Sequence, residues 1–268
     1  MTSQFSYHTA LGAPGDYFFH YTKRGAAFED ILPRRRLRLS PALRMRDPLE
    51  SNPAFVLPDI VDVTGLEASD RLQQLRRCSK VLSLTIDARG YDGDAEIFGR
   101  GFARARLWEH YAENHHGVCL VLKRDAFHAN VLAQLQSRSP HSLAREVRYT
   151  PMGIWTDSAA TLLPTQGRGG EEAASEHAES HATSLFFTKL MDWESEREYR
   201  FVEPSTEDQC TFVDIGDTLA GVIVGKDFPD WQMPSLFTTC DRIGAQPWQM
   251  SWDRSIPSPV QISSHDAE

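Results

Sequence analysis

The stretch Thr188–Glu203, TKLMDWESEREYRFVE, constrains this chain more than any other. Glutamates recur at every second position, Glu194, Glu196 and Glu198, and Tyr199, Arg200, Phe201 and Val202 continue in a strand-like pattern. Side chains two apart in an extended strand share a face. Glu196 and Glu198 are therefore expected side by side, with Arg197 and Tyr199 on the other face. Two carboxylates so placed repel, and in a cleft one of them takes a raised pKa. A fold tolerates this where it uses the negative charge: to stabilise a developing cation, to hold a substrate hydroxyl, or to bind a metal. The competing reading is a solvated edge strand whose acids face water.

A chain of 268 residues, 41% of them hydrophobic, is ample for a buried core. The expectation is a single α+β domain over residues 1–255, with a flexible insertion at 156–175 and a disordered tail at 256–268. No apolar run approaches the length of a membrane span, and MTSQFSYHTALGAPGDY lacks the basic-then-apolar pattern of a signal peptide. A cytoplasmic protein with no membrane partner is expected. Cys78, Cys119, Cys210 and Cys240 are scattered, which argues against a zinc ribbon or a disulfide framework. The net charge of −9 argues against simple coating of nucleic acid. That charge is uneven. Residues 1–150 hold 21 Lys and Arg against 17 Asp and Glu, whereas 151–268 hold 7 against 20. Ordinary surface variation and a phosphate-binding first half both fit that asymmetry.

In chain order, strands are expected at Asp16–Thr22, Arg35–Ser40, Lys80–Asp87, Gly117–Lys123, Glu146–Thr150, Glu198–Glu203, Gln209–Asp214, Ala220–Val224 and, last, Pro247–Asp253. Helices are expected at Gly25–Leu32, ended by Pro33, and at Leu66–Arg77, Phe102–Asn114 and Asp125–Gln136, with another from about Glu171 to Met191 and a helical turn within Trp231–Cys240. Helices and short strands without regular β-α alternation indicate α+β.

Several residues carry candidate chemistry. His20, at the end of the first strand, can hydrogen-bond a ribose hydroxyl, and the aromatic ring of neighbouring Tyr21 can stack on a flat base; Thr22 follows. A structural His is the competing reading. Arg34, Arg35, Arg36, Arg38, Arg44 and Arg46 crowd the first quarter, and arginine suits bidentate phosphate recognition. Pairing with the acidic second half is the alternative. Neither GxGxxG nor GxxxxGK[ST] occurs, so neither dinucleotide fingerprint nor P-loop is supported. Trp108 and Tyr111 fall on one helix face, where core packing is the leading reading and a place beside a cofactor the other. Ser83 and Thr85 share a strand face and can touch a ligand. His110, His115 and His116 fit no standard metal spacing, and His177 and His181 read as a solvated face. No metal is expected. Cys119 reads as a core thiol.

The chain also holds His20-Tyr21-Thr22 with Ile31-Leu32, Arg46-Asp47-Pro48-Leu49-Glu50, Val81-Leu82-Ser83-Leu84, Leu107-Trp108-Glu109-His110-Tyr111-Ala112 with Gly117-Val118-Cys119-Leu120, and Val147-Arg148-Tyr149. Lys189 with Trp193-x-x-Glu196-x-Glu198-Tyr199-Arg200 completes the series. In this order the pieces resemble a bacterial family catalogued as domain of unknown function 2971, over about Tyr17 to Gly225. The family commonly carries Asn-Asp-Pro-Phe-Glu where this chain has Arg46 and Leu49. A second resemblance is to ADP-ribosyltransferases: a strand His before a helix ending in Ile-Leu, and Glu-x-Glu entering a late strand. It implies a mixed, strongly bent or split sheet flanked by helices. It also implies NAD as substrate and ADP-ribosyl transfer or NAD glycohydrolysis, as in toxins and anti-phage effectors. The acceptor would be protein, nucleic acid or water, and a regulatory partner protein would fit. Carried over, His20 binds the ribose and Ser83, or else Ser40, supports the nicotinamide pocket. Glu198 stabilises the oxocarbenium ion and Glu196 orients the acceptor. Arg46, Tyr21, Thr22, Trp108, Tyr111 and Arg200 complete the candidate cofactor site. Two alternatives stand beside this: a metal-dependent nuclease or hydrolase using Asp192, Glu196, Glu198 and an acid such as Asp47, and a non-catalytic nucleotide- or protein-binding module in which Glu196 and Arg200 form structural ion pairs.

Overall fold

The computed structural model describes residues 11–45, 47–51, 63–152 and 169–264. The strands among them, in chain order, are β1 Tyr17–Thr22, β2 Arg36–Pro41, β3 Lys80–Thr85, β4 Val118–Lys123, β5 Leu143–Glu146, β6 Arg148–Thr150, β7 Thr188–Leu190, β8 Glu198–Glu203, β9 Thr211–Asp214, β10 Leu219–Val224, β11 Gln246–Asp253 and β12 Ile256–Gln261. The fold is α+β. The chain divides into two compact units, one from Met1–Leu37, Leu84–Asn130 and Asp214–Glu268, the other from Arg38–Ser83 and Val131–Val213. The division falls inside strands and a helix, not at the positions 156 or 256 where a linker or tail was expected.

The first unit is built on a mixed sheet of order β12-β11-β10-β4-β1. β10 and β11 run parallel, while the β1–β4, β4–β10 and β11–β12 pairs are antiparallel. Val118 to Leu122 of β4 are fully buried, so both faces of this apolar run are covered. One face packs Phe19, Tyr21, Phe102, Leu107, Trp108, Ile223, Trp248 and Met250 into a single cluster. Tyr21 Oη donates to the Gly101 carbonyl at 2.7 Å, and Trp108 Nε1 donates to the Phe102 carbonyl at 2.8 Å. On the other face Phe18 meets Phe127 edge to face. Gly225 packs against the turn that ends in His115: a Cβ built there would lie 1.9 Å from the His115 carbonyl oxygen.

The tail expected from residue 256 is instead β12, the edge strand of this sheet. Arg254 and Ser255 both have positive φ, 48° and 67°, and form the two-residue connection from β11. Pro257 and Pro259 are tolerated because an edge strand needs donors on one side only. β11 is accordingly not the last strand. Pro33 does not end the first helical segment either. Helical turns run on through Leu32–Arg34, one residue past the proline, and the chain leaves the helix at Arg35 with φ 49°.

In the second unit β2 pairs with β3 through Ser40–Val81 and Pro41–Lys80, β8 pairs with β3 and β5, and β6 and β7 form a separate parallel pair. Helices Val63–Cys78 and Gly170–Ser180 pack through small residues, Ala68, Ala173, Ala174 and Ala178, with Leu72 among them. Gly170 permits the approach: a Cβ there would lie 2.7 Å from Cβ of Glu67. The helix expected to continue to Met191 stops earlier. Ala182–Phe186 is a short helix and Thr188–Leu190 is already β7. The insertion expected at 156–175 lies outside the described residues up to 168, and from Gly170 it is helix. His177, expected on a solvated face, is buried and its ring stacks on His181 at 4.3 Å. No described helix is long and apolar enough to cross a membrane.

Candidate functional site

Every side chain of the site described below belongs to the second unit. Residues Met191–Glu196 form a 3-10 helix, Arg197 takes the left-handed conformation with φ 45°, and β8 begins at Glu198. This corrects the extended reading of Glu194–Glu198. The carboxylates do not share a strand face; a left-handed non-glycine residue separates them. Such a residue costs about 1–2 kcal/mol, and such outliers cluster at functional sites. The solvated-edge reading also fails, because all six residues of β8 are buried.

Glu196 and Glu198 meet instead around one cation. Lys189 Nζ donates to Glu196 Oε2 at 2.8 Å and to Glu198 Oε2 at 3.1 Å, and lies 3.8 Å from Glu50 Oε2. Arg200 grips Glu198 in a fork, Nε to Oε1 at 2.6 Å and Nη2 to Oε2 at 2.8 Å. Its Nη1 pairs with Glu50 and donates to the Phe186 carbonyl at 2.9 Å. The Trp193 ring lies 4.8 Å from Lys189 Nζ. The Glu198 N–H donates to Tyr149 Oη at 2.8 Å, and Ser83 hydrogen-bonds the Glu198 carboxylate. Glu50 comes from a helical turn, Pro48–Ser51, whose first backbone bond runs from its N–H to the Asp47 carbonyl at 3.0 Å. Arg76 sits near Glu50 and Asp47 and over the Phe186 ring at 5.5 Å.

These groups are almost sealed from water. Exposure is 1% for Arg200, 5% for Glu198, 6% for Lys189 and 8% for Glu196; Asp47, Glu50 and Arg76 are buried too. Burial drives the pKa of Glu198 up, but the charges of Arg200 and Lys189 outweigh it and hold the carboxyl at about 2. The raised carboxylate pKa expected from two adjacent acids is thus reversed at Glu198, because the repulsion is more than matched by cations. Burial lowers Lys189, yet Glu198 and Glu50 outweigh it and its pKa lies above the ordinary lysine value. Arg76, with burial dominant and only partial relief from Glu50, falls to about 10. Burial, then the Glu198 charge, pushes the Tyr149 hydroxyl up.

The residues proposed from sequence are divided between the units. Glu196, Glu198, Ser83 and Arg200 converge here. His20, Tyr21 and Thr22 lie on β1, Trp108 on the helix Ala105–His110 and Tyr111 at its end, all in the first unit. Tyr21 and Trp108 are core residues, packed edge to face at 5.2 Å. Arg46 lies outside the described residues. Sequence reasoning gave no site role to Lys189, Glu50, Tyr149 or Arg76. The first three stand in quoted motif segments, and a lysine inside the apolar run FFTKLM was a signal of a buried charge. Arg76 carried no such signal. Among the described residues no group of three or more His, Cys, Asp or Glu side chains is placed to hold a metal ion.

Comparison with known families bears on this region directly. Residues 107–201 match the model of a family described as a protein of unknown function, DUF2971. Over that stretch the chain is similar to DUF2971 proteins. The match ends one residue past Arg200, so it takes in Tyr149, Lys189, Glu196, Glu198 and Arg200. No curated protein and no solved structure matches the chain.

Proposed function

We propose that this buried cluster stabilises a cationic transition state, and that the reaction is departure of nicotinamide from NAD, as ADP-ribosyl transfer or NAD hydrolysis. One observation carries this reading. Four buried carboxylates, Asp47, Glu50, Glu196 and Glu198, stand with three buried cations, Arg76, Lys189 and Arg200. Among the described residues these acids outnumber the cations by one, and Glu198 stays ionised at neutral pH. Loss of neutral nicotinamide leaves positive charge on C1′ and the ring oxygen of the ribose. A fixed carboxylate in a water-poor site lowers that barrier electrostatically. A general acid or base would need a pKa near the working pH, which a carboxyl held at about 2 does not have. Glu196, the most exposed member of the cluster, is the group for orienting an acceptor. The reading carries with it the strongly bent or split sheet of ADP-ribosyltransferases, an acceptor among protein, nucleic acid and water, and a role as toxin or anti-phage effector in the cytoplasm.

The test is nicotinamide release from NAD by the wild type and by Glu198→Gln, both assayed well below their melting transitions. The variant is expected to lose on the order of 100- to 1,000-fold in rate. No release by the wild type, together with no NAD-dependent shift in melting temperature, would overturn the proposal. A second reading draws on the completeness of the Glu198–Arg200 fork. In it the cluster is a structural ionic lock of a nucleotide- or protein-binding module, and Glu198→Gln changes stability but no reaction.

A further inference from the structure

β6 and β7 pair in parallel with Tyr149 opposite Lys189. From that two-stranded sheet, two side chains reach the same residue at its two ends. Tyr149 Oη accepts the Glu198 N–H at 2.8 Å, and Lys189 Nζ donates to the Glu198 carboxylate at 3.1 Å. We infer that the β6–β7 pair is a positioning clamp for Glu198, with Lys189 as the cation that ties Glu198 to Glu196. The inference rests on the functional reading above for its meaning in catalysis, but its geometry stands without it.

Lys189 and Arg200 are not equivalent here. Arg200 lies two residues along the strand of Glu198 itself and divides its guanidinium between Glu198, Glu50 and the Phe186 carbonyl. Among the described ion pairs, only Lys189 bridges Glu196 and Glu198. It therefore sets where the two carboxylates stand relative to each other across the left-handed Arg197. A lysine achieves this with a compact ammonium that three acceptors can share, which an arginine fork does not do. The Trp193 ring covers the ammonium from the 3-10 helix side. The groups facing Glu198 are thus Arg200 on its own strand, Lys189 on β7, Tyr149 on β6, Ser83 on β3 and Glu196 on the preceding turn, with Glu50 reaching it through the two cations.

The experiment compares wild type with Lys189→Met, Lys189→Arg and Tyr149→Phe, each checked by thermal melt. The first readout needs no turnover: the titration of Glu198, followed by carboxyl carbon NMR with Glu198→Gln as the assignment control. Removing a cation 3.1 Å away raises the carboxyl midpoint, so Lys189→Met is expected to shift it upward by about one pH unit or more. Tyr149→Phe removes no charge and leaves the midpoint near its wild-type place while speeding exchange of the Glu198 amide. An unchanged midpoint in Lys189→Met, or an unchanged amide in Tyr149→Phe, overturns the clamp whether or not the protein turns over NAD. The second readout is the pH profile of nicotinamide release. Lys189→Met is expected to lower kcat by about 10- to 100-fold with KM little changed and its acid limb displaced to higher pH, and Lys189→Arg to recover part of kcat. A wild-type pH profile and kcat in Lys189→Met would show that the lysine only stabilises the fold, and would overturn the inference. Should Lys189→Met not fold, Tyr149→Phe and Lys189→Arg decide it: wild-type amide exchange in the first with wild-type Glu198 titration and kcat in the second overturns it.

Discussion

Replacing Arg200 by leucine tests the electrostatic account of the second unit most directly. The guanidinium is 1% exposed and holds two carboxylates, Glu198 through two hydrogen bonds and Glu50 through an ion pair. Leucine leaves Glu198 with Lys189, and Glu50 with Lys189 and Arg76. Breaking a buried pair by removing one partner costs about 3–5 kcal/mol, because the other charge is left uncompensated. The pH dependence gives the test its edge. The Glu198 carboxyl is held at about 2 against an ordinary 4.5. That depression corresponds to about 3 kcal/mol of stability. Its sign follows from proton binding. The unfolded chain takes up the proton first, so the stabilisation is complete above about pH 4.5 and is lost as pH falls toward 2. In Arg200→Leu only Lys189 still opposes burial, so the carboxyl moves upward from its wild-type position. The variant therefore regains stability, relative to wild type, as pH falls from about 7 to 4 and its acids neutralise. Urea titrations followed by circular dichroism at about pH 7, 5.5 and 4 read this as a destabilisation that shrinks steadily. A loss below about 1 kcal/mol at neutral pH, or a loss independent of pH, would refute the cluster as a set of charged, mutually compensated groups.

Two further outcomes follow from geometry. Gly225→Ala places a methyl group on the His115 carbonyl, backbone against backbone, and is expected to destabilise the first unit by about 3 kcal/mol, read as a lowered urea midpoint; a change below about 1 kcal/mol would contradict the packing. Nicotinamide release is expected to be indifferent to a chelator, since Lys189 and Arg200 already occupy the carboxylates of the cluster, and loss of turnover with chelator would favour the metal-dependent alternative instead.

Much of this fold was legible, and the misses have particular causes. The β8 boundaries, Glu198 to Glu203, and the apolar β4 read directly from pattern, because alternation and continuous apolarity report burial. The Arg36–Pro41 strand also shows its Arg and Leu alternation as exposed and buried faces. β12 was missed for two reasons. Its hairpin connection uses Arg254-Ser255 in place of the Asn-Gly or Asp-Gly that marks such turns, and its two prolines argue against a strand unless the strand is known to be an edge. The site was half legible. Glu-x-Glu points to two residues that do meet in one buried cluster, but by a different geometry from the extended one expected. Period-two logic assumes an extended chain where Arg197 turns left-handed, and it weighs the repulsion without the cations Lys189 and Arg200 of the same stretch. Glu50, Asp47 and Arg76 join the cluster only through tertiary folding, so no local pattern announces the charge balance.

That balance is what separates a functional reading from a structural one. Buried ion pairs are a poor way to stabilise a fold, since well-packed apolar residues of similar volume do as well or better. Seven buried ionisable side chains in one cluster therefore need a reason other than stability. A purely structural lock would be expected to close its charges in pairs. Here Glu198 and Glu50 are each shared between Arg200 and Lys189, Glu196 leans on Lys189, and Asp47 and Glu50 face Arg76. Among the described residues four acids divide three cations, in a site nearly closed to water. Its central carboxyl, held at about 2, has no proton to donate at neutral pH. It can meet a transient positive charge without reorganising, which is the one demand that nicotinamide departure makes on the protein at the reacting carbon.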